Sequence, residues 1–580
     1  MYVLGISCYY HDSSAALIKD GKVIAAAEEE RFTRKKHDTS FPIKSIGFCL
    51  RYAGITIKDI DHIGFYEKPL LKFERLLSQH LEAFPKSLWS FYKALPSWIN
   101  EKLRVPNTTK KKLGFKKDIL FIDHHIAHAA SSFLTSPFKE AAILTIDGVG
   151  EWTTTAYGYG KGNDINMIKD IEFPHSLGLL YSAITAYLGF KVNNDEYKVM
   201  GLAPYGKPIY YDKLKKVIDI KEDGSYRLNM NYFVYHYKGR MINRKFVEEF
   251  GPIRESKSDI TQKHKDIAAS IQKVTEGIYI KILNQVHKDI KMDNVCIAGG
   301  VALNSVANGK ILKNTKFKNI YILPAAGDAG TSIGTAAYVY HTIFNNKREH
   351  VLSSAYLGPK YSTEKVKNYL DNNKIKYSTF KDDEELISKT AKLIHENNVV
   401  GWFQGRMEFG PRALGNRSIL SNPCNPEMQN ILNTKVKHRE PFRPFAPVIC
   451  TEDAQEYFEC DKPIQIPTDF MLMVYPIRKE KQKLIPSVTH VDGTGRLQTI
   501  KRKQNPLYYD LIKEFGKLSG IPILINTSFN IRGEPIVCNP FHAYRCMMGT
   551  GIDYLVMDKF LIKRADNPQH MWNSEKLAKD

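Results

Sequence analysis

The sequence predicts an α/β protein of two domains, the first of them internally duplicated. Three observations carry this reading. The first thirty residues and residues 141–160 share one grammar of β-length apolar runs joined by short polar turns. Two later apolar runs lead through glycine-rich turns into small-residue helix starts, and a polar, turn-rich stretch at 340–365 precedes a fresh alternation of helix and strand signals.

The elements follow in order. "YVLGIS" (2–7), "SAALIKD" (14–20) and "KVIAAAEE" (22–29) read as strands separated by the polar turn "CYYHDS" and a glycine turn. "AAILTID" (141–147), the turn "GVGEW" and "TTTAYGYG" (153–160) repeat that pattern, as a duplicated unit would. Between them, 70–118 is rich in Lys, Trp and Tyr and reads as a helical insertion. "IAGGVALNSVANGKI" (297–311) and "ILPAAGDAGTSIGTAA" (322–337) each run from a strand into a helix through turns whose backbone N–H groups can approach a phosphate. A duplicated α/β architecture that holds a nucleotide between its lobes is the expectation, although a plain strand-to-helix connection uses the same residues. Beyond the boundary, "DDEELISKTAKLIHENN" (382–398) has the period of an amphipathic helix and "VVGWFQG" (399–405) that of a strand entering a glycine turn. The expected domains are 1–355 and 360–567, with a loosely ordered tail at 568–580.

Composition narrows the class. With 43% hydrophobic and 25% charged residues over 580 positions, the chain can bury substantial cores. Its eight cysteines are scattered without a C-x-x-C pair, against a zinc ribbon or a disulfide scaffold. "MYVLGIS" lacks a basic leader followed by an apolar segment, and no run of about 18 apolar residues occurs, so a cytoplasmic protein without a membrane partner is expected. The net charge of +21 admits nucleic acid, a membrane surface or anionic small molecules, or serves solubility alone.

Two constellations carry chemistry. In "DHHIAHAASSF" (123–133), His124 and His128 stand at i, i+4, on one helix face, where they suit a shared metal; a polar helix start is the alternative. A protease reading fails because His125 stands where that motif requires Glu. Asp147 and Asp328, read as strand-end residues beside glycines, are the candidate carboxylate ligands, unless each only bonds its own turn. Two histidines with carboxylates suit iron, manganese or zinc better than calcium. In the second domain, "GRMEFGPRALGNRSIL" (405–420) and "KVKHREPFRPFAPVI" (435–449) set Arg406, Arg412, Arg417, Lys437, Arg439 and Arg443 among glycines, prolines and aromatics. Arg496, Asn526, Asn530 and Arg532 extend this group. Such clustering fits phosphate or carboxylate binding, or loops tied to backbone carbonyls.

These residues resemble the NodU/CmcH-type carbamoyltransferases over nearly the whole chain, through "YYHDSSAAL", "EEERFTRKKHD", "HHIAHAASSF", "DGVGEW", "EYKVMGLAPYG", "GGVALN", "GDAGTSIG", "FGPRALGNRSIL", "KHREPFRPFAP" and "NTSFN". The resemblance implies a duplicated actin-like ATPase-superfamily domain followed by a YrdC-like domain. It implies that the second domain forms carbamoyl-adenylate from carbamoyl phosphate and ATP, the latter with Mg, releasing pyrophosphate. The first would then transfer the carbamoyl group to a hydroxyl of a small-molecule acceptor and release AMP. Carried over by position, the metal ligands are His124, His128, Asp147 and Asp328, with iron the usual metal. Arg412, Lys437, Arg443, Arg496 and Asn526 would hold carbamoyl phosphate and nucleotide. Gly299, Gly300 and Asn304 would hold the adenylate, and His11 would position or deprotonate the acceptor hydroxyl. A homodimer is compatible with this reading. A tRNA-modifying transferase and an actin-like kinase are the alternatives; the absence of RNP aromatics and of a KH loop weighs against RNA, and a kinase would yield ADP instead of AMP and pyrophosphate.

Overall fold

The computed structural model describes residues 1–568; of the expected tail, residues 569–580 lie outside the described residues. The chain forms two compact units, one of residues 1–26 and 39–352 and one of residues 27–38 together with the chain from 353 onward. The sequence reading did not separate the short segment 27–38. Its membership is explained by burial of charge: the Arg31 side chain, 3% exposed, donates to the Gly410 carbonyl at 2.8 Å and pairs with Glu28 and Glu30. The Gly410 N–H donates to Glu28, and Arg34 donates to the carbonyls of Pro535 and Ile536.

β1 (Tyr2–Ser7), β2 (Ser14–Lys19), β3 (Lys22–Glu28, whose first five residues belong to the first unit), β4 (His62–Phe65) and β5 (Ile119–Phe121) form a sheet in the order β3-β2-β1-β4-β5. A second sheet is built from β6 (Glu140–Ile146), β7 (Thr153–Lys161), β8 (Asp164–Glu172), β11 (Asn294–Ala298) and β12 (Asn319–Ile322), in the order β12-β11-β6-β7-β8. A separate hairpin joins β9 (Ile218–Ile220) and β10 (Tyr226–Leu228). Each large sheet is an antiparallel meander to which two parallel strands are added beside the first strand. The two therefore share one connectivity, the structural counterpart of the repeat seen in the sequence. Strands with parallel neighbours are continuously apolar because both faces are covered, whereas the edge strand β8 carries exposed polar residues along its length.

The insertion forms three helices, Pro69–Glu82, Leu88–Asn100 and Val105–Leu113. The element that positions the site is the helix Asp328–Ala337, every residue of which is buried. It packs on β1, β2 and β4 and against the helix His124–Phe133. Glycine makes both approaches. A Cβ on Gly5 would lie 1.9 Å from the Ser332 carbonyl oxygen, and one on Gly334 would lie 1.9 Å from that of Ala127. Among the described residues, no helix is long and apolar enough to cross a membrane.

The second unit is a mixed nine-stranded sheet built from β13 (Ser378–Thr379), β14 (Val400–Phe403), β15 (Arg417–Ser421), β16 (Ala446–Cys450), β17 (Met473–Pro476), β18 (Thr494–Ile500), β19 (Ile523–Ser528), β20 (Tyr554–Met557) and β21 (Phe560–Lys563). Their order is β13-β21-β20-β14-β15-β19-β16-β18-β17. The amphipathic helix expected after the boundary is Asp383–His395, capped by the Asp382 side chain, which accepts from the Glu385 N–H at 2.9 Å. It packs with the helix Pro506–Ser519 over a core that includes Trp402, Leu420, Val448, Leu524 and Phe515.

The closeness of the Gly334 contact makes a prediction. Gly334→Ala should destabilise the chain by about 1–3 kcal/mol, the usual range for overpacking, and should lower the midpoint of thermal unfolding. An unchanged midpoint would show that the two helices can separate freely.

Candidate functional site

The helix His124–Phe133 follows β5 directly, and its pitch sets His124 and His128 side by side with their Nε2 atoms 3.1 Å apart. Asp147 ends the apolar run of β6, and its Oδ2 lies 3.1 Å from His124 Nε2 and 3.8 Å from His128 Nε2. Asp328 was expected at a strand end. It is instead the first residue of the helix Asp328–Ala337, separated from β12 by residues 323–327. Its Oδ1 lies 3.8 Å from His124 Nε2 and 3.4 Å from His128 Nε2. The four ligating atoms lie within 4.8 Å of one another, and all four residues are buried.

Burial by itself would raise the Asp147 carboxyl, but the hydrogen bond with His124 and the nearby His128 imidazole hold it well below the usual carboxylate range. The Asp328 carboxyl is likewise lowered against the effect of burial, first by the charge of His11. Burial should depress His128, yet the two carboxylates facing it push it up to about 9. Both Asp328 oxygens and the Nδ1 atoms of His124 and His128 have no hydrogen-bond partner in the protein. A buried carboxylate without a donor is strongly disfavoured unless a cation balances it. Two imidazole nitrogens and two carboxylates converging on one point form a donor set suited to a transition metal, so these residues fit the group expected from the sequence.

The neighbours divide the work. His125 turns away, its Nδ1 2.7 Å from Thr145 Oγ1, and burial beside His124 and His128 pushes its imidazole down to about 3. His11 sits next to the cluster, with Nε2 3.8 Å from Asp328 Oδ2 and Nδ1 2.9 Å from Asp12 Oδ2. Gly299 adopts φ +96°, and a Cβ there would lie 2.2 Å from the Ile146 carbonyl oxygen. The turn thereby presents the Gly300 N–H to Asp147 Oδ1 at 2.8 Å. The Asn304 amide is engaged within the protein, with Gln272 at 3.1 Å and with the Ala307 N–H, whose helix it caps.

The arginines of the second unit separate into two kinds. Arg417, completely buried, donates to the carbonyls of Gln404, Asn416, Pro359 and Gly405 and lies over the Phe403 ring at 3.8 Å. Arg406 donates to the carbonyls of Gly358 and Leu357. Both are loop ties. Arg412, Arg439 and Arg443 bring their charges to Arg496: burial, followed by those charges, holds the Arg496 guanidinium well below its ordinary range, while Arg439 also donates to Asn433 Oδ1 at 2.7 Å. Arg496 Nε has no hydrogen-bond partner in the protein. Glu440 approaches the group, 3.6 Å from Arg443 and from Arg532. Lys437 Nζ donates to the Ser528 carbonyl and to Asn530 Oδ1 at 2.9 Å, and burial with the Arg439 charge holds it well below its ordinary range. Asn526 Nδ2 donates to the Ala413 carbonyl and to Gln498 Oε1, which leaves its Oδ1 unpartnered. The sequence reading missed His490, whose imidazole is pushed down to about 4 by burial, with Arg496 among the adjacent charges. The signal was its place in "THVDGTGRL", one turn before Arg496 on β18.

Comparison with known proteins identifies the family. The model of the carbamoyltransferase N-terminus matches residues 2–337, and that of the carbamoyltransferase C-terminus matches residues 391–564. The uncharacterized protein sll1178 of Synechocystis sp. is 49% identical over 98% of this chain and 97% of its own length. Nodulation protein NolNO of Sinorhizobium fredii is 36% identical over 98% of this chain and 81% of its own. Among solved structures, component A of (R)-2-hydroxyglutaryl-CoA dehydratase from Acidaminococcus fermentans aligns with 58% of this chain and 97% of its own, at 13% identity and a TM-score of 0.31. The matches to both family models, with a relative alike over almost its entire length, establish that the chain belongs to the carbamoyltransferase family and is a transferase.

Proposed function

We propose that the chain is an ATP-dependent O-carbamoyltransferase that works in two steps. The convergence of His124, His128, Asp147 and Asp328 carries the reading, because two imidazoles and two carboxylates meeting in the first unit favour a metal there, while the arginines around Arg496 favour anion binding in the second. In this proposal the repeated sheets of residues 1–355 are an actin-like ATPase-type domain, and residues 360–567 are a YrdC-like domain. The substrates are carbamoyl phosphate, ATP with Mg and a hydroxylated small molecule, and the resident metal is iron.

In the first step the phosphoryl group of carbamoyl phosphate passes to water as inorganic phosphate, and the carbamate oxygen attacks the α-phosphorus of ATP as the bond to pyrophosphate breaks. Both substrates are polyanions that repel each other. Arg412, Arg443 and Arg496 offset that repulsion with charges already fixed in place, which avoids the reorganisation water would need. Lys437 and Asn526 orient the reactants, the latter through its unpartnered Oδ1.

In the second step the acceptor oxygen attacks the carbamoyl carbon, the bond from that carbon to the adenylate oxygen breaks, and AMP leaves. The metal, when bound, supplies Lewis-acid stabilisation of negative charge on oxygen. Asp12 fixes the His11 ring through Nδ1, leaving Nε2 to position the acceptor hydroxyl by a hydrogen bond to its oxygen. The Gly300 N–H and the two histidines orient Asp147, and the Gly299 turn excludes side chains from this approach.

Two measurements test the division of labour. Arg443→Ala should reduce pyrophosphate release in the presence of carbamoyl phosphate and ATP by about 10²-fold, the scale set by removal of one preorganised charge-stabilising group; undiminished release removes Arg443 from the site. His124→Ala should lose bound metal, measured by elemental analysis, and carbamoyl transfer, measured by mass spectrometry against a panel of hydroxylated metabolites, while pyrophosphate release persists. Loss of both half-reactions from a folded His124→Ala protein would refute the assignment of the two steps to separate sites.

A further inference from the structure

Tyr66 follows β4 and is completely buried, yet its hydroxyl has no hydrogen-bond partner in the protein. Buried hydroxyls are nearly always satisfied, so an unpartnered one in a packed interior points to a group that completes it. Its place in the fold shows where that group lies. Alternate residues of a strand share a face. On the face of β4 that carries His62, Gly64 and Tyr66, the His62 ring lies 4.1 Å from that of Phe344, beyond the C-terminal end of the helix Asp328–Ala337. Two residues on, a Cβ at Gly64 would lie 2.4 Å from Thr335 Cγ2 and 3.2 Å from Val339. The strand therefore climbs the helix toward its N-terminus, and Tyr66, one further step along, comes to the end that carries Asp328. There its ring meets that of His124 edge-on, with centroids 5.5 Å apart. The Asp328 charge is among those that, after burial, raise the Tyr66 hydroxyl well above its ordinary range, as expected for a phenol close to that carboxylate. Asp328, for its part, has no donor on either oxygen.

We propose that the Tyr66 hydroxyl donates a hydrogen bond to a phosphoryl oxygen bound at the open position of the His124–His128–Asp147–Asp328 cluster. The inference rests on the reading of that cluster as a metal site. It adds Tyr66, which follows β4 and lies outside the histidine and aspartate motifs, as a positioning residue for that phosphoryl group. The phenol is suited to this task because it stays protonated and donates toward an anion without adding charge to a centre already balanced by two carboxylates.

The test uses the full-length chain loaded with Co²⁺, whose visible absorption reports the coordination of the metal. Inorganic phosphate and AMP are titrated separately into wild type and Tyr66→Phe, and thermal midpoints are recorded for both. The expected result is equal Co²⁺ content and an unchanged or higher midpoint for Tyr66→Phe, because the substitution removes an unsatisfied buried group. Binding of phosphate, of AMP or of both should be weakened about tenfold or more, the scale of a hydrogen bond to a charged acceptor. Weakening for phosphate alone assigns the subsite to a free phosphate, and weakening for AMP assigns it to a nucleotide phosphate. Equal affinities in the two proteins overturn the proposal and leave the metal reading intact, as does a wild-type spectrum indifferent to both anions. Loss of Co²⁺ from Tyr66→Phe also overturns it, by making Tyr66 a support of the metal shell. A wild-type protein that takes up no Co²⁺ at this cluster overturns both readings together.

Discussion

Two carboxylates and two imidazoles buried around one point are the constraint from which the first unit is best understood. Such a group is unfavourable in a low-dielectric interior unless hydrogen bonds or a cation compensate it, and Asp328 receives no hydrogen bond from the protein. The chain holds the group together from three separate elements: the helix His124–Phe133, the end of β6 and the first residue of the helix Asp328–Ala337. Backbone contacts that only glycine permits secure them. Gly334 lets the two helices approach at Ala127, Gly5 seats the second helix on β1, and Gly299 lets the turn after β11 cross the end of β6. The repeated connectivity of the two sheets serves the same end, since it delivers a strand terminus of the second sheet and a helix lying on the first to a common place.

The second unit shows how one residue type performs opposite tasks. Arg417 is surrounded by carbonyl oxygens that saturate its guanidinium, and it stabilises the loops that converge on β15. Arg496 is surrounded by other guanidiniums, and its Nε faces no acceptor. Like charges held together in a folded protein weaken it unless an anion joins them, which the proposed substrates would supply. Membership of the carbamoyltransferase family and this electrostatic imbalance point in the same direction.

Local chemistry was legible in the sequence wherever it depended on spacing along a single element. The i, i+4 pair His124 and His128, the recurring strand patterns and the helix at Asp383–His395 all follow from period and composition, and the structure contains each. Asp147 and Asp328 were recognisable as acids beside glycines, but their approach to the same pair of nitrogens depends on chain segments far apart in sequence.

The sequence by itself determined the α/β class, the internal repeat, the family and the residue types available for catalysis, because these are properties of patterns and motifs. Only the tertiary structure decided which arginines are loop ties and which bring their charges to Arg496, that segment 27–38 belongs with the second unit, and that Asp328 opens a helix instead of ending a strand. It alone revealed Tyr66, which carries no motif and reads in the sequence as one more aromatic after a strand. The physical reason is common to all of these: whether a polar group is satisfied depends on partners contributed by distant segments, and that is fixed only when the chain packs.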